Sequence, residues 1–204
     1  MKIIYKRHLP HIQPPGATIF ITFRLEGSVP VAESRQVKED YEHFTRIIQT
    51  QPAQRQIASR KRASLIFRYD SILHDSNNSP HYLKDSRIAK IVMKAIHFND
   101  NQLYDLLAFC IMSNHVHVVL TPLAVASEEY ISLERITHSI KSYTANQVNR
   151  LLNQPGQFWD HESFDHYCRS ESEVNRFIDY TINNPVKAGL VNNPSEWPWS
   201  YRKR

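Results

Sequence analysis

The residues best suited to chemistry are two histidines one residue apart, His115-Val116-His117, and a tyrosine and an asparagine four residues apart, Tyr180 and Asn184. The histidines lie in a β-branched, apolar run. Strand side chains alternate faces, so both imidazoles point the same way, about 7 Å apart. Val116, Val118 and Leu120 then take the opposite face, toward a core. A neutral imidazole is a common metal ligand. Two of them leave most of a coordination sphere open, which suits a metal that must also hold substrate. The plainer alternative is a chance pairing on a half-exposed strand. Near the C-terminus, Val174, Phe177, Ile178 and Thr181 form the apolar stripe of a helix. Tyr180 falls beside that stripe, and Asn184 lies one turn further on the same face. A phenolic oxygen and an amide oxygen can therefore address one site. The alternative is a boundary tyrosine that packs its ring, with Asn184 closing the helix ahead of Pro185. His161, His166 and Cys168 could join the histidine pair in a zinc site, but their spacing matches no strong zinc pattern, and a closed tetrahedral site would exclude a phosphate.

These groups need elements to position them. Residues 8–16 are proline-rich and extended. Ala17 to Leu25 reads as a strand. Its poor alternation suits a strand covered on both faces. Val31 to about Arg68 is charged and helical in pattern, divided at Pro52, and looks like an insertion. Asn77-Asn78-Ser79-Pro80 is a break. Asp85 to Phe98 has apolar residues on one helical face. Leu103 to Met112, the turn Ser113-Asn114, and His115 to Pro122 form a β-hairpin. A second long helix runs from Glu128 or Glu129 to Leu152, closed by Pro155-Gly156. Phe164 to Arg169 is a short edge strand. Ser170-Glu171-Ser172-Glu173 is a capping box opening a last helix through Asn183, which Pro185 ends.

The core order is βαββαβ, the ferredoxin-like split βαβ pattern. The expected fold is α+β: an antiparallel sheet with helices on one face, a helical insertion after the first strand, and an additional C-terminal helix carrying Tyr180. Residues 1–204 are expected to form one domain, with the insertion at about 31–68 and a tail at about 185–204.

Composition sets outer bounds. The 204 residues carry 25 Lys and Arg against 20 Asp and Glu, a net charge of +5, which leans toward a polyanionic partner. No apolar run is long enough for a membrane span. The basic start of the chain lacks the apolar region of an export signal. Cys110 and Cys168 are too few for a disulfide framework and fit a reducing compartment.

The segment Met112-Ser113-Asn114-His115-Val116-His117-Val118-Val119-Leu120 resembles the HUH motif (histidine, hydrophobic residue, histidine) of single-strand DNA nucleases and transposases. Phe177-Ile178-Asp179-Tyr180-Thr181-Ile182-Asn183-Asn184-Pro185-Val186-Lys187-Ala188-Gly189-Leu190-Val191 resembles the tyrosine helix of the REP-associated tyrosine transposases, relatives of the single-tyrosine transposases of small insertion sequences. The resemblance covers nearly the whole chain. It includes Leu9-Pro10-His11 through Thr22-Phe23-Arg24-Leu25, Tyr82 to Ala89, Lys141-Ser142-Tyr143-Thr144, Phe158-Trp159 and Trp197-Pro198-Trp199-Ser200.

The resemblance implies a metal-dependent single-strand DNA endonuclease and strand transferase acting on hairpin or REP-type DNA. It makes Tyr180 the nucleophile of a covalent 5′-phosphotyrosine intermediate. It makes His115, His117 and Asn184 the ligands of Mg²⁺ or Mn²⁺. Family members often have phenylalanine at the place of Tyr143, which leaves Tyr143 a packing role. Arg55, Arg60, Lys61, Arg62, Lys141 and Arg150 are candidate phosphate contacts. The implied partner is single-stranded or hairpin DNA, with no membrane and no small-molecule substrate. The implied location is the bacterial cytoplasm at the nucleoid, and the implied state a monomer or homodimer. A hairpin-binding protein of the same fold with weak or lost cleavage is the main alternative. A relaxase or replication initiator would share the histidine chemistry but usually carries further domains.

Overall fold

The computed structural model describes residues 4–6, 10–75, 79–127 and 129–204. In chain order its strands are β1 (Ile4–Lys6), β2 (Pro10–Ile12), β3 (Ile19–Leu25), β4 (Tyr104–Ile111), β5 (His115–Pro122), β6 (Ala124–Ala126), β7 (Glu129–Tyr130), β8 (Trp159–Tyr167) and β9 (Ser200–Arg202). Its helices are α1 (Val31–Thr50), α2 (Arg55–Asp75), α3 (Ser86–Asn99), α4 (Leu133–Leu152) and α5 (Glu171–Lys187).

The βαββαβ order is realised as β3-α3-β4-β5-α4-β8. These strands and β9 make one sheet in the order β8-β3-β5-β4-β9, every neighbouring pair antiparallel. The fold is thus α+β with a split βαβ sheet. The Ser113-Asn114 turn is closed by Met112 N–H donating to the His115 carbonyl at 2.9 Å. The tail also builds: β9 pairs with β4 at the sheet edge, and Trp197 Nε1 donates to the Ile111 carbonyl at 3.1 Å.

The two helices of the core pattern, α3 and α4, share one face of the sheet as expected, and the insertion's α2 and the last helix α5 cover the other. Ile19, Ile21, Phe23, Val116, Val118 and Leu120 pack against Ile88, Val92 and Ile96 of α3 and Ile136, Ile140 and Val148 of α4. Phe20, Ala108 and Val119 point the other way, onto Phe177, Ile178 and Tyr180 of α5 and Ile66 of α2. The cause is legible in β3. All seven of its residues are buried, so neither face is left to water.

Local chemistry sets the helix ends. Asp85, Ser132 and Ser170 cap α3, α4 and α5 by accepting from backbone N–H groups, each worth about 1 kcal/mol. The second long helix begins at Leu133, after the Ser132 cap, because Glu129-Tyr130 pairs with β6 instead. Its end is set by Asn153 in the left-handed conformation, φ 51°, ahead of Pro155-Gly156. Pro185 does not end α5, which runs on to Lys187. The proline forgoes only its own backbone donor near the helix end, and Ala188 N–H still reaches the Asn184 carbonyl at 3.0 Å. The edge strand begins at Trp159, earlier than Phe164. Residues 8–16, expected to be merely extended, contribute Pro10–Ile12 to a pair with β1; residues 8 and 9 lie outside the described residues, as do Asn77, Asn78 and Glu128.

Pro52 separates α1 from α2 as expected, through a short 3-10 turn. The two helices form a hairpin whose inner residues, Val37, Tyr41, Leu65, Tyr69 and Leu73, pack on Phe164 of β8. No described helix is long and apolar enough to cross a membrane.

Candidate active site

The site lies between the sheet and the α2/α5 layer. β5 presents His115 and His117 on the face opposite Val116 and Val118, both fully buried. Their Nε2 atoms converge to 3.2 Å. Each ring is held from behind. His117 Nδ1 lies 2.8 Å from Thr22 Oγ1 on β3, and His115 Nδ1 lies 2.7 Å from Asn114 Oδ1. The Asn114 amide nitrogen donates to the Leu73 carbonyl at 2.9 Å and to Ser79 Oγ, so its oxygen must be the acceptor toward His115. His115 therefore carries its proton on Nδ1 and turns an Nε2 lone pair inward. Burial pushes its pKa down to about 4, against the opposing pull of Asp70, so the ring is neutral at pH 7. A neutral imidazole with one nitrogen anchored and the other open is the form that binds metal. The pair fits a divalent cation.

From α5, Tyr180 and Asn184 reach the same place, both buried. The Tyr180 ring is held edge-on by Phe67 at 4.6 Å and Phe20 at 6.0 Å between centroids, and Lys187 Nζ stands 4.2 Å over it. The sequence reading missed the group that joins them. Asp70 of α2, 3% exposed, sits at the centre. Its Oδ1 is 3.0 Å from Nε2 of both His115 and His117. Its Oδ2 accepts from the Tyr180 hydroxyl and, at 2.7 Å, from the Asn184 amide nitrogen. The Asn184 oxygen then faces His74 Nε2 at 3.1 Å. His74, one turn beyond Asp70, has its Nε2 3.8 Å from Asp70 Oδ1. The donor atoms of Asp70, His74 and His115 all lie within 4.8 Å of one another.

Burial alone would raise the Asp70 pKa, but the His117 imidazole against it, above all, holds it well below the usual carboxylate range. Burial, then the charge and hydrogen bond of Asp70, push the Tyr180 phenol above its ordinary value. The phenol is therefore neutral as the site stands, and a weak nucleophile.

The other expected residues fall elsewhere. Arg62 is not a phosphate contact. It is fully buried, pairs with Asp165 of β8 at 3.3 Å and donates to the Tyr41 hydroxyl. The helical period turns it inward while Arg60 and Lys61, its neighbours in the basic run, stay exposed. Arg55 Nε donates to the Ile48 carbonyl at 3.1 Å. Lys141 and Arg150 belong to α4, on the far face of the sheet, and Lys141 Nζ donates to backbone carbonyls of β8. Tyr143, on the same helix, is 54% exposed and does not pack as expected. His166 meets Glu173 at 3.0 Å; among the described residues it forms no metal cluster with His161 and Cys168. Beside the site, a cleft of about 460 Å³ between α2 and the start of α5 is lined by Arg60, Arg169, Arg176 and Glu173, which pairs with the last two arginines, with Phe67 as one wall.

No protein-family profile matches the chain. A Haemophilus influenzae protein provisionally named a REP-associated tyrosine transposase is 25% identical over 105 residues. That match covers 48% of this chain and 58% of the relative, so it spans little more than half of that protein. Among solved structures, a REP-associated tyrosine transposase bound to a REP hairpin superposes with a TM-score of 0.55 at 15% identity, covering 96% of this chain and 80% of the other. The chain thus has the fold of a REP-associated tyrosine transposase, and half of its sequence is similar to that of another protein so named.

Proposed function

We propose that this protein is a divalent-metal-dependent endonuclease and strand transferase of single-stranded hairpin or REP-type DNA, acting through a covalent 5′-phosphotyrosine on Tyr180. One observation carries the reading. The hydroxyl of Tyr180 and the Nε2 atoms of His115 and His117, from elements far apart in sequence, meet on a single carboxylate. A packing tyrosine and a chance histidine pair have no reason to converge in this way.

His115 and His117 would hold Mg²⁺ or Mn²⁺, and two imidazole nitrogens favour Mn²⁺. When bound, the cation supplies Lewis-acid polarisation of the scissile phosphate. The rest falls to the chain. Phe67 and Phe20 fix the Tyr180 ring, and Asp70 fixes the direction of its hydroxyl hydrogen. In the transfer step the Tyr180 oxygen bonds to phosphorus, the bond from phosphorus to the 3′ oxygen breaks, and the phenolic proton ends on the freed 3′-hydroxyl. Reversal by any 3′-hydroxyl rejoins DNA without an energy source, because the phosphotyrosine keeps the phosphodiester's free energy. Exposed Arg60, in the cleft beside the site, suits the backbone of a single strand, while Arg169 and Arg176 there are paired with Glu173.

A second reading has its own support. Both histidines are fully buried and Tyr180 is 8% exposed, so the site as it stands is closed to a phosphate. A hairpin-binding protein with slow or lost cleavage would have such a closed site. Incubation with labelled hairpin oligonucleotides and Mn²⁺ separates the two. A covalent protein–DNA band that vanishes in Tyr180→Phe and under EDTA is expected; tight binding without any covalent product would establish the binding protein.

A further inference from the structure

We propose that Asp70, carried by the helical hairpin, is itself a ligand of the cation, and that the third protein ligand of the site comes from α2 rather than from Asn184. The proposal rests on the metal reading above and deepens it.

Geometry argues first. His115 Nε2, His117 Nε2 and Asp70 Oδ1 form a triangle with edges of 3.2, 3.0 and 3.0 Å. Two donors at right angles around a cation, each about 2.1 Å from it, stand about 3.0 Å apart. The triangle is thus one face of an octahedron, with three positions left for water and phosphate oxygens. Two histidines and a carboxylate on one face is a recurrent arrangement for divalent transition metals.

The hydrogen-bond inventory argues second. The Asn114 amide fixes the His115 proton on Nδ1, so Nε2 offers a lone pair. An ionised carboxylate offers only lone pairs. The two face each other at 3.0 Å, with His117 Nε2 as close to the carboxylate, in a buried place. Two imidazole nitrogens and a carboxylate oxygen so grouped are donor types that a divalent transition metal takes. Asn184 lacks such an arrangement. Its amide nitrogen is committed to Asp70 Oδ2, which turns its oxygen toward His74. Asp70 then has two duties: one oxygen toward the cation, the other holding Tyr180 and Asn184.

The test is a Mn²⁺ titration of the full chain, read by electron paramagnetic resonance and calorimetry, for wild type, Asp70→Asn, His117→Ala and Asn184→Ala. Asp70→Asn should weaken Mn²⁺ at least about 10-fold, as His117→Ala does, with a smaller loss in Asn184→Ala. Wild-type affinity in Asp70→Asn alongside a loss in His117→Ala would overturn this proposal and leave the metal reading standing. A wild type that binds no Mn²⁺ would overturn both. Because Asp70→Asn could misfold, wild-type crystals soaked in Mn²⁺ give an independent answer. An anomalous peak bonded to Asp70 supports the assignment; a peak on His115, His117 and Asn184 with Asp70 turned away overturns it.

Discussion

The hydroxyl of Tyr180 donates to the carboxylate of Asp70, across 110 residues of chain and between two different helices. One oxygen of Asp70 thus addresses the nucleophile candidate while the other addresses the histidine pair. Their common partner orients them relative to one another before any substrate arrives.

Tyr180→Phe removes that link. Covalent adduct formation is expected to vanish while hairpin binding persists. Asp70 keeps the Asn184 donor but loses a second one, so the folded state should lose about 1–3 kcal/mol. Urea unfolding of the two proteins measures this, and an adduct in the variant would return the nucleophile's role to another tyrosine.

Arg62→Met tests a structural assignment. Arg62 and Asp165 are both fully buried, and removing one charge leaves the other desolvated. The expected loss is about 3–5 kcal/mol in a denaturant titration. Unchanged stability with weakened DNA binding would instead restore Arg62 to the phosphate contacts.

Acid should weaken the fold through His166 and Glu173. Burial pushes His166 below its ordinary value of 6.5, with Glu173 opposing. The hydrogen bond from His166 draws Glu173 down from 4.5 to about 2. Below pH 6.5 the unfolded chain therefore takes up a proton at residue 166 that the folded chain resists. Between 4.5 and about 2 it does the same at residue 173. Stability is complete near neutrality and falls as pH drops through each window. Unfolding midpoints at pH 7, 5.5 and 3.5 should descend in order, and Glu173→Gln should flatten the lower step.

Salt dependence locates the strand. Arg60→Ala in the cleft beside Tyr180 should weaken hairpin binding and lower the slope of log affinity against log salt by about 1. Arg150→Ala, on the far face of the sheet, should change neither. The reverse result would move the DNA path to the α4 side.

The strands and the two pairs of candidate-site residues were readable because each rests on local periodicity. Alternation put His115 and His117 on one face, and helical spacing put Tyr180 with Asn184. The basic run Arg60-Lys61-Arg62 was misread because its residues were taken as one surface, although a helix turns successive side chains far apart. Pro185 was misread as a stop because the rule against proline is strict only in a helix interior. Asp70 escaped notice because its partners at the site's centre, His115, His117, Tyr180 and Asn184, lie far along the chain, the nearest of them 45 residues on. Its one local sign was His74, four residues later on the same face, in a stretch otherwise read as a charged insertion.

The Arg62–Asp165 pair has a meaning apart from stability. Asp70 follows Arg62 by about two helical turns, roughly 12 Å along the same axis. A slip of α2 by one turn would separate Arg62 from Asp165 and carry the carboxylate about 5 Å from both imidazoles. The ion pair works as a dowel: it indexes the helix to the sheet, so a contact on β8 decides where a negative charge stands over β5.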